Sequence, residues 1–130
     1  MRPRFTTILG LAACGALGAC AHAGGGSGAL AAYPGAAGQI EQFYDANATE
    51  RDWYCNDVEL DNVDQAKLVS QNEQQLVLAV TYFFSPVDPT SRLNRDQCQG
   101  FNTRFFTFAK EPGGALSLIA MSGSQRGQGG

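Results

Sequence analysis

From Ala36 to Ala48 the apolar residues Ile40, Phe43, Tyr44 and Ala48 recur at helical spacing, with Glu41, Gln42 and Asp45 on the other side. That period predicts one amphipathic helix, too short to be stable alone, which ends or bends before Trp53 because Trp53 lies off the apolar face. Thr49-Glu-Arg-Asp52 reads as a capping sequence able to open a second short turn. From Leu60 to Ser70 the pattern changes to a weak alternation rich in acids, suited to an edge strand with one wet face. Gln71 to Gln75 is a turn. Leu76 to Phe84 is apolar at both parities, which predicts a central strand covered on both faces. Ser85 to Gln99, with Pro86 and Pro89 and no period, predicts a long loop. Phe101 to Lys110 is a second strong strand, Glu111-Pro-Gly-Gly114 a tight turn, and Ala115 to Met121 the return arm of a hairpin. Ser122 to Gly130 reads as a frayed polar tail.

The expected fold is therefore α+β: one or two N-terminal helices packed on a curved antiparallel sheet of about four strands, since this arrangement buries both patterns at once. The element order is similar to small folds of the cystatin-like or nuclear-transport-factor-two-like kind.

The first thirty residues follow a different logic. Met1-Arg-Pro-Arg4 is basic, Phe5 to Ala13 is apolar, and small residues follow, in the order of a secretory signal. Gly10, Gly15 and Gly18 interrupt the stretch before it reaches the roughly 20 apolar positions of a membrane span. Leu17-Gly-Ala-Cys20 resembles the lipobox of bacterial lipoproteins, and Leu11-Ala-Ala-Cys14 matches the same pattern. Cys20 is preferred because cutting before Cys14 leaves a very short apolar region. The alternative is an ordinary cleaved signal, cut near Ala19 or Ala23.

The resemblance implies a signal peptide over 1–19, a diacylglycerol on the Cys20 sulfur, and a flexible glycine-rich tether over 20–35. The folded domain then spans 36–123 and the tail 124–130. It also implies a site in the cell envelope facing the periplasm, with Ala21 directing the protein to the outer membrane if the cell is Gram-negative. His22, the single histidine, falls in the tether and is not read as a metal ligand.

The charge pattern narrows the function classes. The net charge of −3 includes Arg2 and Arg4 of the signal, so the mature form is about two units more acidic. Acids dominate from Glu41 to Glu73, while Arg92, Arg95, Arg104, Lys110 and Arg126 outnumber the acids after them. No dominant basic surface exists to release counterions from phosphate, so nucleic-acid binding is not expected.

Cys55 and Cys98 are the two cysteines beyond the signal, and an exported chain meets an oxidising compartment. They are expected to form a structural disulfide closing a loop of 43 residues, worth about 4 kcal/mol in the chain-entropy model. A thiol-catalytic or zinc role lacks a Cys-x-x-Cys spacing and a histidine in the domain. Histidine-dependent hydrolase chemistry is excluded on the same ground. The alternating carboxylates Asp57, Glu59, Asp61 and Asp64 lack a calcium-loop pattern and read as a charged edge that discourages strand addition. No metal, cofactor or catalytic set is expected.

The candidate binding residues are Trp53, Tyr54 and Arg104. The aromatics at 53, 54, 82–84, 101, 105, 106 and 108 are expected mainly as core, or else as the lining of an apolar pocket between helix and sheet. Arg104 shares a strand face with Phe106 and Phe108, and is expected on the exposed face of a half-wet strand. If buried it needs a carboxylate partner, sought in the Asp57–Asp64 run. The sequence thus points to a non-enzymatic, membrane-anchored lipoprotein acting through protein contacts, with the Ser85–Gln99 loop as a natural surface. The alternative is a small-molecule binding module using the aromatic pocket.

Overall fold

A computed structural model describes residues 28–88, 90 and 97–127. The expected signal, Cys14, Cys20 and His22 lie outside the described residues, as do residues 89 and 91–96 of the expected Ser85–Gln99 loop. One helix, α1 (Ala36–Asn47), packs with four strands: β1 (Val58–Gln71), β2 (Gln75–Pro86), β3 (Gly100–Lys110) and β4 (Leu116–Met121). The strands form one antiparallel meander in the order β1-β2-β3-β4, with short turns between β1 and β2 and between β3 and β4 and a longer connection over 87–99. The fold is α+β.

The helix forms for the reason its spacing gives. Ala36, Ile40, Tyr44 and Ala48 recur every four residues and all are fully buried. Ala48 then turns extended, at φ −73° and ψ 147°, which ends the helix. Opposite this stripe, Leu76, Leu78, Val80, Tyr82 and Phe84 of β2 and Phe106 and Phe108 of β3 are buried on the inner sheet face. β2 and β3 pair without a bulge from Gln75↔Ala109 to Phe84↔Gly100, so these side chains stay in phase.

The helix also reaches both margins of the sheet. The Gln39 amide accepts from the Leu118 N–H at 2.8 Å and donates to the Leu116 carbonyl at 2.9 Å. Asp45 accepts the Leu60 N–H at 2.8 Å. Two polar helix residues thus occupy backbone groups of the two edge strands. β1 is further irregular, with register shifts at Leu60/Asn62, Val63/Gln65 and Leu68/Ser70, and its acids Asp61 and Asp64 are exposed.

Three expectations are corrected here. β2 is covered on one face only: Val77, Ala79, Thr81 and Phe83 of the other parity are half-buried by their strand neighbours, with Phe101 and Phe105 exposed on the same outer face. Its apolar residues at both parities reflect side-to-side packing within the sheet as well as a layer above it. Within the expected tether, Gly28–Ala32 forms a short 3₁₀ helix that buries Leu30 against the core. The expected tail is held as far as Arg126: Gln125 bridges Ala48, the Ser124 carbonyl accepts the Thr49 N–H at 3.1 Å, and the Arg126 N–H donates to the Asn47 carbonyl at 2.7 Å.

The second short turn expected after Thr49 is left-handed. Arg51, Asp52 and Trp53 have φ of 54°, 54° and 70°, a run that costs on the order of 1 kcal/mol or more per residue. It persists because its base is over-determined. Glu50 and Cys55 exchange two backbone hydrogen bonds of 2.8 and 3.0 Å, and the Tyr54 N–H reaches the Arg51 carbonyl at 3.2 Å. The Cys55–Cys98 disulfide, with Cα atoms 5.5 Å apart, ties that base to the chain entering β3. The Arg51 guanidinium adds bonds to the Gln97 and Gln99 carbonyls and lies 5.8 Å from the centre of the Phe84 ring.

Candidate functional site

The chain leaving α1 is extended from Ala48 to Glu50 and pinned on both sides, which aims the Glu50 side chain inward, where it is 3% exposed. Its Oε1 accepts the hydroxyl protons of Tyr44, from the last turn of α1, and of Tyr82, from β2. Oε2 accepts from Asn102 Nδ2 at 2.7 Å. Arg104, at a core-facing position of β3 and 2% exposed, completes the cluster with Nη2 at 3.2 Å from Glu50 Oε1.

The remaining donors of Arg104 are directed at the backbone. Nε donates to the Tyr82 hydroxyl oxygen at 2.8 Å, Nη1 to the Ser122 and Ser124 carbonyls at 3.0 and 2.9 Å, and Nη2 to the Thr49 carbonyl. One guanidinium therefore clasps β2, the segment after α1 and the chain beyond β4. The Tyr44 and Tyr82 rings meet edge-on at 4.8 Å, and the guanidinium carbon lies 5.7 Å from the Tyr44 centre. Gly123 adjoins the clasp at φ 84°, and a Cβ there would stand 2.9 Å from Nη1. Both the backbone angle and the space call for glycine.

Burying two charges is costly, and the cost is offset only when geometry and further hydrogen bonds satisfy both groups. Here all three guanidinium nitrogens and both carboxylate oxygens are engaged. Burial, then the neighbouring Tyr82 and the Glu50 carboxylate, push the Tyr44 hydroxyl far above its ordinary range. Burial and the hydrogen bond to Glu50 do the same for Tyr82. Both phenols therefore stay neutral donors at physiological pH, unable to serve as bases. The cluster is built to hold the fold together. The buried Thr49 hydroxyl, beside it in sequence, has no partner among the described residues.

The cluster forms one wall of an open cleft of about 460 Å3, lined also by Arg51, Asp52, Phe84, Phe101, Thr103 and Ser122–Ser124. Smaller clefts of about 390 and 310 Å3 lie between the start of α1 and β1, and between α1 and Leu118. None of these three is the aromatic-lined pocket foreseen between helix and sheet: Tyr44, Tyr82, Phe84, Phe106 and Phe108 fill that layer.

Of the residues singled out in the sequence, Cys55 and Cys98 are joined. Arg104 is buried instead of exposed, and its carboxylate is Glu50 instead of one from the Asp57–Asp64 run. The reason is that Asp57, Asp61 and Asp64 stay in solvent, whereas the extended segment after α1 delivers Glu50 to the core. Trp53 and Tyr54 are 49% and 61% exposed on the left-handed turn and take no part in the cluster. Glu50, Tyr44, Tyr82 and Asn102 were missed. Their signal is faint but physical: Tyr44, Tyr82 and Arg104 are polar tips at positions where the period demands apolar residues.

Among known proteins no family model, curated protein or solved structure matches the chain.

Proposed function

We propose that the protein is a lipid-anchored component of a bacterial envelope whose domain works through contacts with another protein, not by catalysis. The observation that carries this reading is the outer sheet face. Phe101 and Phe105 are 62% and 50% exposed there, and Phe83 and Phe101 stack edge-on at 5.1 Å between ring centres. Aromatic side chains grouped in solvent serve association better than folding. Trp53 and Tyr54 add exposed aromatics on the turn whose Arg51 and Asp52 share a cleft with Phe101. The disulfide suits an exported domain, and the lipobox-like Leu17-Gly-Ala-Cys20 supplies the anchor. The buried Glu50–Arg104 cluster supports the non-catalytic reading, because its charges are already engaged with one another and with the backbone.

A photoreactive residue placed at Phe105 in the full chain, in intact cells of the native host, is expected to capture a discrete protein. The same residue at exposed Gln74, in the β1–β2 turn, is expected to capture none. Equal labelling at both positions, or no adduct at Phe105, rejects the contact surface. Cys20→Ala is expected to release the protein from membranes, and retention of that variant rejects the anchor.

A further inference from the structure

The sheet has a gap in its hydrogen-bonding order. β3 pairs with β2 along its whole length, but with β4 only from Phe106 to Lys110. One further contact follows: the Phe105 carbonyl accepts the Ser122 N–H at 2.9 Å, and the Phe105 N–H donates to Ser122 Oγ at 2.8 Å. Beyond that point the chain after β4 leaves the sheet, drawn away by the Arg104 clasp and by pairing with Ala48 and Thr49. Among the described residues the first residues of β3 have no paired strand on that side.

Their backbone groups face the gap. In an antiparallel strand, N–H and C=O of one residue point to the same side, and alternate residues repeat that direction. Phe105 points toward β4, so Thr103 and Phe101 do as well. The hydroxyls of Thr81 and Thr103 lie 2.7 Å apart, as suits a directly opposed pair whose own N–H and C=O groups point away from one another. The Thr103 N–H is held by the side chain of its own neighbour, Asn102 Oδ1, at 2.8 Å. Among the described residues the Phe101 and Thr103 carbonyls meet no backbone donor. The space in front of them is the cleft of about 460 Å3. The other margins of the sheet differ: Gln39 and Asp45 occupy groups of β4 and β1, and the acids and bulges of β1 oppose addition.

We propose that this cleft accepts an extended peptide segment of a partner protein as an added strand, antiparallel to β3 and continuing the line of β4. Four residues of β3, Phe101 to Arg104, line it, a length of about 14 Å. An incoming carbonyl takes over the Thr103 N–H from Asn102, and incoming amides meet the Phe101 and Thr103 carbonyls. Charge selects the class of segment. The lining holds two cations, Arg51 and Arg104, against two anions, Glu50 and Asp52, and the buried pair neutralises itself. A balanced cleft favours an uncharged segment recognised through its backbone. Peptide residues opposite Phe101 and Thr103 place their side chains on the outer face, where the Phe101 ring favours apolar ones. This inference rests on the reading that the domain works through protein contacts, and it assigns a second surface to that role.

The test uses full-length protein in detergent and a displayed library of uncharged peptides about six residues long. Enrichment of alternating apolar sequences is expected, and a library that yields no binder overturns the proposal. In a selected peptide, N-methylation of the amides that face β3 is expected to weaken binding at least about tenfold, and methylation of the alternate amides less than about twofold. Indifference to which set is methylated also overturns it. Thr103→Pro removes an N–H that lies outside the β2 ladder, a substitution tolerated at strand edges, and is expected to abolish peptide binding with the fold retained. If that variant does not fold, the methylated peptides still decide. If the Phe105 cross-link forms in cells but no peptide is selected, the cleft assignment fails and the contact reading survives. Absence of both removes the two together.

Discussion

The two faces of the sheet come from the same strands and from similar residues, yet they differ in nearly every physical respect. On the inner face Phe106, Phe108, Tyr82 and Phe84 are at most 1% exposed, and polar groups there are tied into the Glu50–Arg104 cluster. On the outer face Phe101 and Phe105 keep half or more of their surface in water, and between them Thr103 bonds across to Thr81 of β2. The inner face carries the stability of a small domain. The outer face leaves its aromatics largely in water, and it is this face that the proposed contact surface uses. Their surroundings differ, not their chemistry: Phe105 and Phe106 are adjacent in the chain and point to opposite sides.

That comparison breaks most sharply at this pair. Phe106→Ala is expected to cost about 3 to 5 kcal/mol by opening a cavity, whereas Phe105→Ala stays within about 0.5 kcal/mol. Urea unfolding of the two variants measures both, and similar losses would mean that the outer face is structural too. Glu50→Ala is expected to cost a comparable 3 to 5 kcal/mol or so, because it leaves the Arg104 charge buried without its counter-ion.

Alkaline pH sharpens the contrast next. Tyr44 and Tyr82 have folded-state pKa values raised above the ordinary value near 10. A raised folded pKa contributes stability that is complete below the unfolded value and is lost as pH climbs above it. Stability is therefore expected to be insensitive to these two groups at neutral pH and to fall steadily above about pH 10, with tyrosinate absorbance rising as near-ultraviolet circular dichroism is lost. Tyr82→Phe is expected to lessen that slope, and Phe105→Ala to leave it unchanged.

The smallest effects are gains. Thr49→Val replaces a buried hydroxyl that has no partner among the described residues and is expected to stabilise by about 1 kcal/mol in urea unfolding. Asp52→Gly relieves one left-handed residue and is expected to add up to about 1 kcal/mol, unless Asp52 earns its place at the cleft by contacts with a partner.

Much of the architecture was legible in the chain. The stripe of Ile40, Phe43, Tyr44 and Ala48 located α1, and alternation with turn residues located four strands to within about two residues. Cysteine number and context paired Cys55 with Cys98. These features depend on local period or on a choice of one partner, which a one-dimensional pattern can carry. The left-handed turn at Arg51–Trp53 was not legible, because non-glycine residues do not favour it and only the closure around it enforces it.

The sequence by itself determined the helix and the four strands, since hydrophobic period is a property of neighbours along the chain, but not the core-facing parity of β2, whose residues are apolar at both. Only the tertiary structure decided that Arg104 is paired with Glu50, from opposite ends of the charge asymmetry and 54 positions apart. It alone decided that the chain after Met121 leaves the sheet and opens the edge of β3. Both depend on where an extended segment after a helix comes to rest against strands folded from elsewhere. Such long-range closure is set by the sum of packing and hydrogen bonding over the whole domain, and no local pattern records it.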